Sequence, residues 1–274
     1  MNWETISITN TNDLINYLLS YESHWLFRGH SSEKWILEST LERALKPIGW
    51  DPEWAQNSEE YSLFEFKARA HHYIAQESLP SSKLGLLSLM QHHGVPTRLL
   101  DFTESPFVAL FFAFDGLQSI SKDACAIWAI DYRALMKKSI ETIQSTDENF
   151  KLTYKEAQMK QDEIFELIDK NSYDVLWTTE PGKFNLRLER QRGSFLISGN
   201  IRRRISELLD TQMPAGTFKK IVIPSALTNE IFVALKKMGI SNSRLFSDID
   251  GLGKDVKNEI NYQINSHFKQ NKTS

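Results

Sequence analysis

The chain is poor in cysteine: Cys125 is the only one among 274 residues. A disulfide framework or a cysteine-built zinc site within the single chain is therefore excluded. Cys125 itself lies in the apolar run Ala124-Cys125-Ala126-Ile127-Trp128, the setting of a small buried hydrophobe. Long apolar runs are also lacking. The most apolar stretch, Phe107 to Phe114, is too short to cross a bilayer. The opening Met1-Asn2-Trp3-Glu4 carries no basic segment leading into an apolar one, so no secretory leader is expected, and the expected location is the cytoplasm without a membrane partner. Neither sign of charge dominates. Lys+Arg 32 against Asp+Glu 35 gives a net charge of −3, which disfavours a generally basic nucleic-acid binder. No repeat, low-complexity tract or Pro/Gly/Ser linker divides the chain, and its length is ample for a core. One domain over residues 1–274 is expected.

What is present is a mixture of helix and strand signals. Residues 11–20 read as a helix capped by Thr11 or Asn12, and Ser23 to Gly29 as a strand ending in a turn at Gly29. Glu59 to Gln76 reads as a helix with Tyr61, Phe64, Ala68 and Tyr73 on one face. A helix over 82–93 is closed by Gly94, and Pro96 prevents its continuation. Residues 97–102 form a strand, after which Ser105 caps a helix with Pro106 at its first position. That helix, through Phe114, is apolar on every side and must be central. Ala124–Ile130 is a buried strand, and 133–170 reads as charged, peripheral helix with a loop near 145–147. Strands are expected at 175–178, 193–198 and 218–224, and helices near 201–209, 229–238 (closed by Gly239) and 254–268, the last followed by a polar tail. The pattern suggests an α+β fold with a mixed or antiparallel β core and N-terminal and peripheral helices.

Three places carry chemistry. Arg28 ends an apolar strand, where a guanidinium fork suits bidentate capture of phosphate or carboxylate. Gln91 to Thr103 places His92, His93, Thr97, Arg98, Asp101 and Thr103 beside the most apolar helix. Such polar side chains must bond one another or line a site. Adjacent histidines point to different helix faces, so no metal is assigned to His92, His93 and Asp101. Finally, residues 183–204 hold seven basic residues and one acidic, a local +6 able to attract phosphates.

These residues also carry a resemblance. Leu26-Phe27-Arg28-Gly29-His30 with 35–43 resembles the opening of the FRG domain family, and 91–103 continuing through Pro106, Ala109 and Phe112-Ala113 resembles its central signature. Phe102 stands where the family usually shows Trp. Arg187, Gln191, Gly193 and Phe195 are similar to its third motif. Residues 223–226 and 239–252, with Asp248, resemble its C-terminal end. The blocks span about 24–255, with a helix and polar tail over 256–274. Their order further resembles the ADP-ribosyltransferase superfamily, which implies a split β core. It also implies NAD as substrate, Arg28 on the dinucleotide, and cofactor contacts from His92, His93, Thr97, Arg98 and Asp101. Thr103, Glu189 and Gln191 would then be catalytic. Gln191 stands where that superfamily carries a catalytic Glu; Glu189 or Asp101 would have to supply the charge. The resemblance implies an NAD-dependent transferase, a toxin or phage-defence effector modifying a protein or nucleic acid, with an antitoxin or other regulatory partner. A non-catalytic module binding a nucleotide or phosphate is the alternative, and a nucleic-acid-binding protein a weaker one.

Overall fold

A computed structural model describes residues 3–75, 78–115, 123–182, 186–246 and 249–273, the side chains at 265, 266 and 268–273 excepted. Gln76, Lys183 and Asp248 lie outside the described residues. Seven strands form one sheet: β1 (Glu4–Ser7), β2 (Trp25–His30), β3 (Leu100–Thr103), β4 (Ala124–Asp131), β5 (Leu176–Thr179), β6 (Gly193–Ser198) and β7 (Phe218–Pro224). Their spatial order is β1-β7-β4-β2-β3-β6-β5, with β1 parallel to β7 and every other neighbour antiparallel. The α+β class with a mixed sheet is as expected. The joint between the two halves is narrow. Strands β2 and β4 are in register from Trp25·Asp131 to His30·Ala126, whereas β2 and β3 meet at the pair Phe27·Thr103.

The helices come from all parts of the chain. They are α1 (Thr11–Leu19), α2 (Thr40–Leu45), α3 (Pro52–Arg69), α4 (Lys83–His92), α5 (Pro106–Phe114), α6 (Tyr132–Thr146) and α7 (Tyr154–Met159). They continue with α8 (Gln161–Asn171), α9 (Leu186–Arg190), α10 (Ile205–Gln212), α11 (Thr228–Lys237), α12 (Asn242–Phe246) and α13 (Ile249–Thr273). Strand alternation sorts the core. Phe27 and Ile127 face a cluster built with α1, α5 and α11, while Leu26 and Trp128 face the opposite cluster with Leu135, Leu208 and Phe218. A third cluster joins α4, α6 and α8 to Trp177, Phe195 and Ile197.

Helix α5 is the element around which the first cluster is built. The Ser105 hydroxyl accepts from the Val108 amide and Pro106 opens the first turn, as its sequence indicates. Its Ala109 and Ala113 lie directly against β2. A Cβ at Gly29 would overlap the Ala109 carbonyl oxygen and the Ala113 amide. This corrects the reading of Gly29 as a turn residue: it is paired within β2, opposite Ile127, and glycine is required there by close approach.

Other expectations shift for physical reasons. Helix α3 starts at Pro52, capped by Asp51, and its expected apolar face is outside: Tyr61, Phe64 and Tyr73 are all exposed. The helix is held by the side carrying Ala55 and Glu59, the latter drawn in by Arg98. Helices α6 and α8 are not merely peripheral, since Leu135, Ile143, Phe165 and Ile168 are buried. Helix α13 begins earlier than position 254 and continues to Thr273, through the expected polar tail.

Candidate functional site

Where the sheet halves part, a cavity of about 710 Å³ opens, walled by β2 and β3 and lined by Arg28, His30, Trp35, Arg43, Asp101, Thr103, Phe112, Arg187 and Gln191 among others. Arg28 leaves β2 toward it. Its Nε donates to His30 Nε2 at 3.0 Å, and its Nη1 donates to the Asp101 carbonyl at 2.6 Å, with the Asp101 carboxylate 3.8 Å away. Nη2 has no protein partner among the described residues. Burial, and then the nearby Arg43, push the guanidinium's pKa down, with Asp101 pulling the other way. An anionic ligand would relieve that desolvated cation.

His30 is held neutral. Burial, then the Arg28 charge, drive its pKa down to about 3. Trp128 Nε1 lies 3.2 Å from His30 Nδ1, so the ring faces an N–H donor at each nitrogen. A neutral imidazole has one lone pair and satisfies one of them at a time; a protonated ring would satisfy neither.

The other walls are cationic and aromatic. Lys46 is bonded to Glu38 and Lys34 to Asp123. Arg28, Arg43 and Arg187 remain as guanidinium groups on the cavity, and Arg43 and Arg187 have no carboxylate partner among the described residues. Arg43 is oriented by donating Nη1 to the Glu38 carbonyl at 2.9 Å. Arg187 lies over the Phe246 ring at 5.3 Å, and Phe246 packs edge-on against Phe112. Trp35 is 56% exposed at the cavity.

Thr103 and Gln191 fasten the far side. Thr103 Oγ1 donates to the Gln191 carbonyl at 2.6 Å and accepts from the Ser105 amide, so one hydroxyl joins the end of β3, the α5 cap and the Gln191 turn. Position 191 is not on a strand. Glu189 belongs to α9, the turn at Gln191-Arg192 has φ 47° at Arg192, and β6 starts at Gly193. The expected strand placement, with Glu189 and Gln191 on one face, is therefore corrected: Gln191 reaches the cavity, while Glu189 is exposed on α9 and is not among the lining residues. Of the two carboxylates on the cavity, Glu38 is buried against Lys46, and Asp101 accepts from Gln91 Nε2 at 2.7 Å beside Arg28.

The remaining sequence candidates separate. His92 lines a small adjoining hollow with Asp101, Arg187 and Gln191, while His93 ends α4 on the exposed surface. Thr97 is fully buried. Its hydroxyl donates to Gln91 Oε1, which leaves Gln91 Nε2 to hold Asp101, so Thr97 acts on the cavity at one remove. Arg98 turns away. It is buried in an ion network with Glu59 and Asp169, which Lys83 completes. Burial opposes the charges there, but Arg98 and Lys83 still hold Asp169 below the usual carboxylate range. The basic stretch 183–204 is likewise dispersed. Arg187 reaches the cavity, but Arg192 pairs with Glu104, Arg203 with Asp174 and Glu207, and Arg204 with Glu207. The sequence reading missed His30, Trp35 and Arg43 as cavity residues. His30 was within reach, because two positions along a strand share a face.

Comparison with known families adds one match. Residues 23–122 match the FRG domain family model. The FRG segment contains β2, β3 and α5, hence Arg28, Asp101 and Thr103. Arg187, Gln191 and the C-terminal helices lie beyond it. No curated protein and no solved structure matches the chain.

Proposed function

We propose that the cavity between β2 and β3 binds NAD as substrate and that the protein is an ADP-ribosyltransferase-like enzyme. The observation that carries this reading is the set of three guanidinium groups around one cavity, Arg28 among them desolvated and with a nitrogen unpartnered. Planar, permanently charged forks suit a diphosphate, and the exposed Trp35 ring offers a stacking face for a base. Asp101 is the carboxylate on the cavity without a lysine partner, and it takes the part of the charge opposite the ribose. The bond that breaks joins the ribose C1′ to the nicotinamide nitrogen. Nicotinamide leaves neutral, and the acceptor forms the new bond to C1′ and loses a proton. Gln191 is an uncharged hydrogen-bonding partner for a ribose hydroxyl. Thr103 is a positioning residue, since it holds the Gln191 turn. The acceptor is a protein or nucleic-acid group, consistent with a toxin or defence effector.

The binding-module reading rests on a specific observation: Gln191, which reaches the cavity, is uncharged, and Glu189 is not among the lining residues. Calorimetric titration with NAD and a nicotinamide-release assay, with and without cell lysate, separate the two. The expected results are NAD binding with nicotinamide release. Arg28→Ala and Arg28→Lys should weaken binding by about tenfold or more. Asp101→Asn should lower turnover by about 10²-fold with binding largely kept. Binding without release favours the module instead, no binding of NAD overturns the enzyme, and no binding of NAD or of inorganic diphosphate overturns both.

A further inference from the structure

The narrow joint at Phe27·Thr103 has a second opening. Just past it, bounded by Leu26 on β2 and Glu104 after β3, lies a separate cavity of about 190 Å³. Its polar wall differs from that of the first cavity. Among the described residues it holds two carboxylates, Glu104 and Glu180, and no basic side chain. Glu104 is engaged by Arg192 at 3.0 Å. Glu180 accepts from the Ser194 hydroxyl, and among the described residues no cation pairs with it. Its pKa is raised, first by burial and then by Glu104.

Two further groups on this wall lack partners. Thr179 is 1% exposed, and among the described residues its Oγ1 has no hydrogen-bond partner; Gln161 Oε1 is buried and likewise unbonded among them. Buried polar atoms are ordinarily bonded. Gln161 Oε1 and the Glu180 carboxylate, which has no cation partner among the described residues, are acceptors calling for donors, and the Thr179 hydroxyl can accept as well as donate. The rest of the wall is Tyr132, Tyr154, Leu26 and Met136 with Gln158 and Thr178, and its aromatic and apolar part suits a cation carried on an alkyl stem. A bound metal ion fits less well, because among the described residues no group of three His, Cys, Asp or Glu side chains converges.

We infer that this cavity is a binding site for a small organic cation, an alkylguanidinium or alkylammonium, with its head on Glu180, Thr179 and Gln161. The inference does not rest on NAD binding, since these side chains lie outside the seam cavity. Guanidinium and ammonium groups bring donors and no acceptor, which matches this wall.

The test is calorimetric titration of the full chain with butylguanidinium, using N-butylurea as an uncharged control of similar shape. Saturable one-to-one binding of butylguanidinium is expected, at least about tenfold tighter than the urea. Glu180→Gln should weaken it by about tenfold or more. Thr179→Val, which removes an unbonded hydroxyl, should weaken binding without lowering the unfolding midpoint of the free protein. NAD titration is expected to be unchanged in both variants, so failure of the NAD reading leaves this one standing. An acetylated, amidated Gly-Arg-Gly peptide binding as well as butylguanidinium assigns the site to an arginine of a partner chain; much weaker peptide binding assigns it to free cations. Absence of saturable binding, equal binding of the urea, or unchanged affinity in Glu180→Gln overturns the inference.

Discussion

His30 shows how one buried side chain sets the state of a site. It contacts Arg28 at one nitrogen and Trp128 at the other, and its pKa of about 3 lies far below the ordinary 6.5. The folded protein therefore refuses a proton that the unfolded chain accepts. The neutral imidazole contributes stability in full above pH 6.5, and that stability is lost as pH falls from 6.5 toward 3. Between pH 6.5 and 5, before ordinary carboxylates titrate, each unit should cost up to about 1.4 kcal/mol. Urea unfolding of wild type and His30→Gln at pH 7, 6 and 5 checks this: the wild type should lose stability more steeply than the variant. Equal slopes would mean that His30 takes up its proton normally in the folded state.

At the scale of the element, the contact between α5 and β2 is the one most sensitive to a single atom. The atoms a new Cβ would strike at Gly29 are backbone atoms of α5, which no rotamer change can move. Gly29→Ala should destabilise at the upper end of about 1–3 kcal/mol, or prevent folding. An unfolding free energy from urea titration within about 0.5 kcal/mol of wild type would show that the helix can lift from the sheet. The Phe-Arg-Gly sequence thus joins a cavity-facing arginine to a packing requirement one residue later. Arg28 and Gly29 are adjacent because consecutive strand residues face opposite sides.

Across the whole molecule, the two sheet halves, β1-β7-β4-β2 and β3-β6-β5, meet at one residue pair with a cavity on either side of it. A ligand in the larger cavity touches both halves: Arg28 and His30 from one, Asp101, Thr103 and Gln191 from the other. Saturating NAD should therefore slow amide exchange at residues 28–30 and 101–103 together, measured by hydrogen–deuterium exchange. Protection confined to one half would show that the ligand does not bridge the seam. Binding should also weaken as salt rises, because the cavity is cationic.

Local chemistry in the sequence determined α5, its Ser105-Pro106 start, the Gly94 and Gly239 helix ends, β6 and β7, and the placement of Arg28 on a strand. Each depends on short-range patterns: caps, positive-φ glycines and alternation. Strand β1 was not legible, because its short polar run becomes a strand by pairing with β7. The exposed aromatic residues of α3 misled the periodic reading, since the side that faces in carries Ala55, Leu63 and Phe66 together with Glu59, which is bonded to Arg98. The membership of the cavity was decided only in three dimensions. Arg98 and Asp101 stand three positions apart, yet one is closed into a buried ion network and the other lines the cavity. Arg43 and Arg187 are distant in sequence and converge because the sheet parts at Phe27·Thr103, a separation that long-range pairing alone creates.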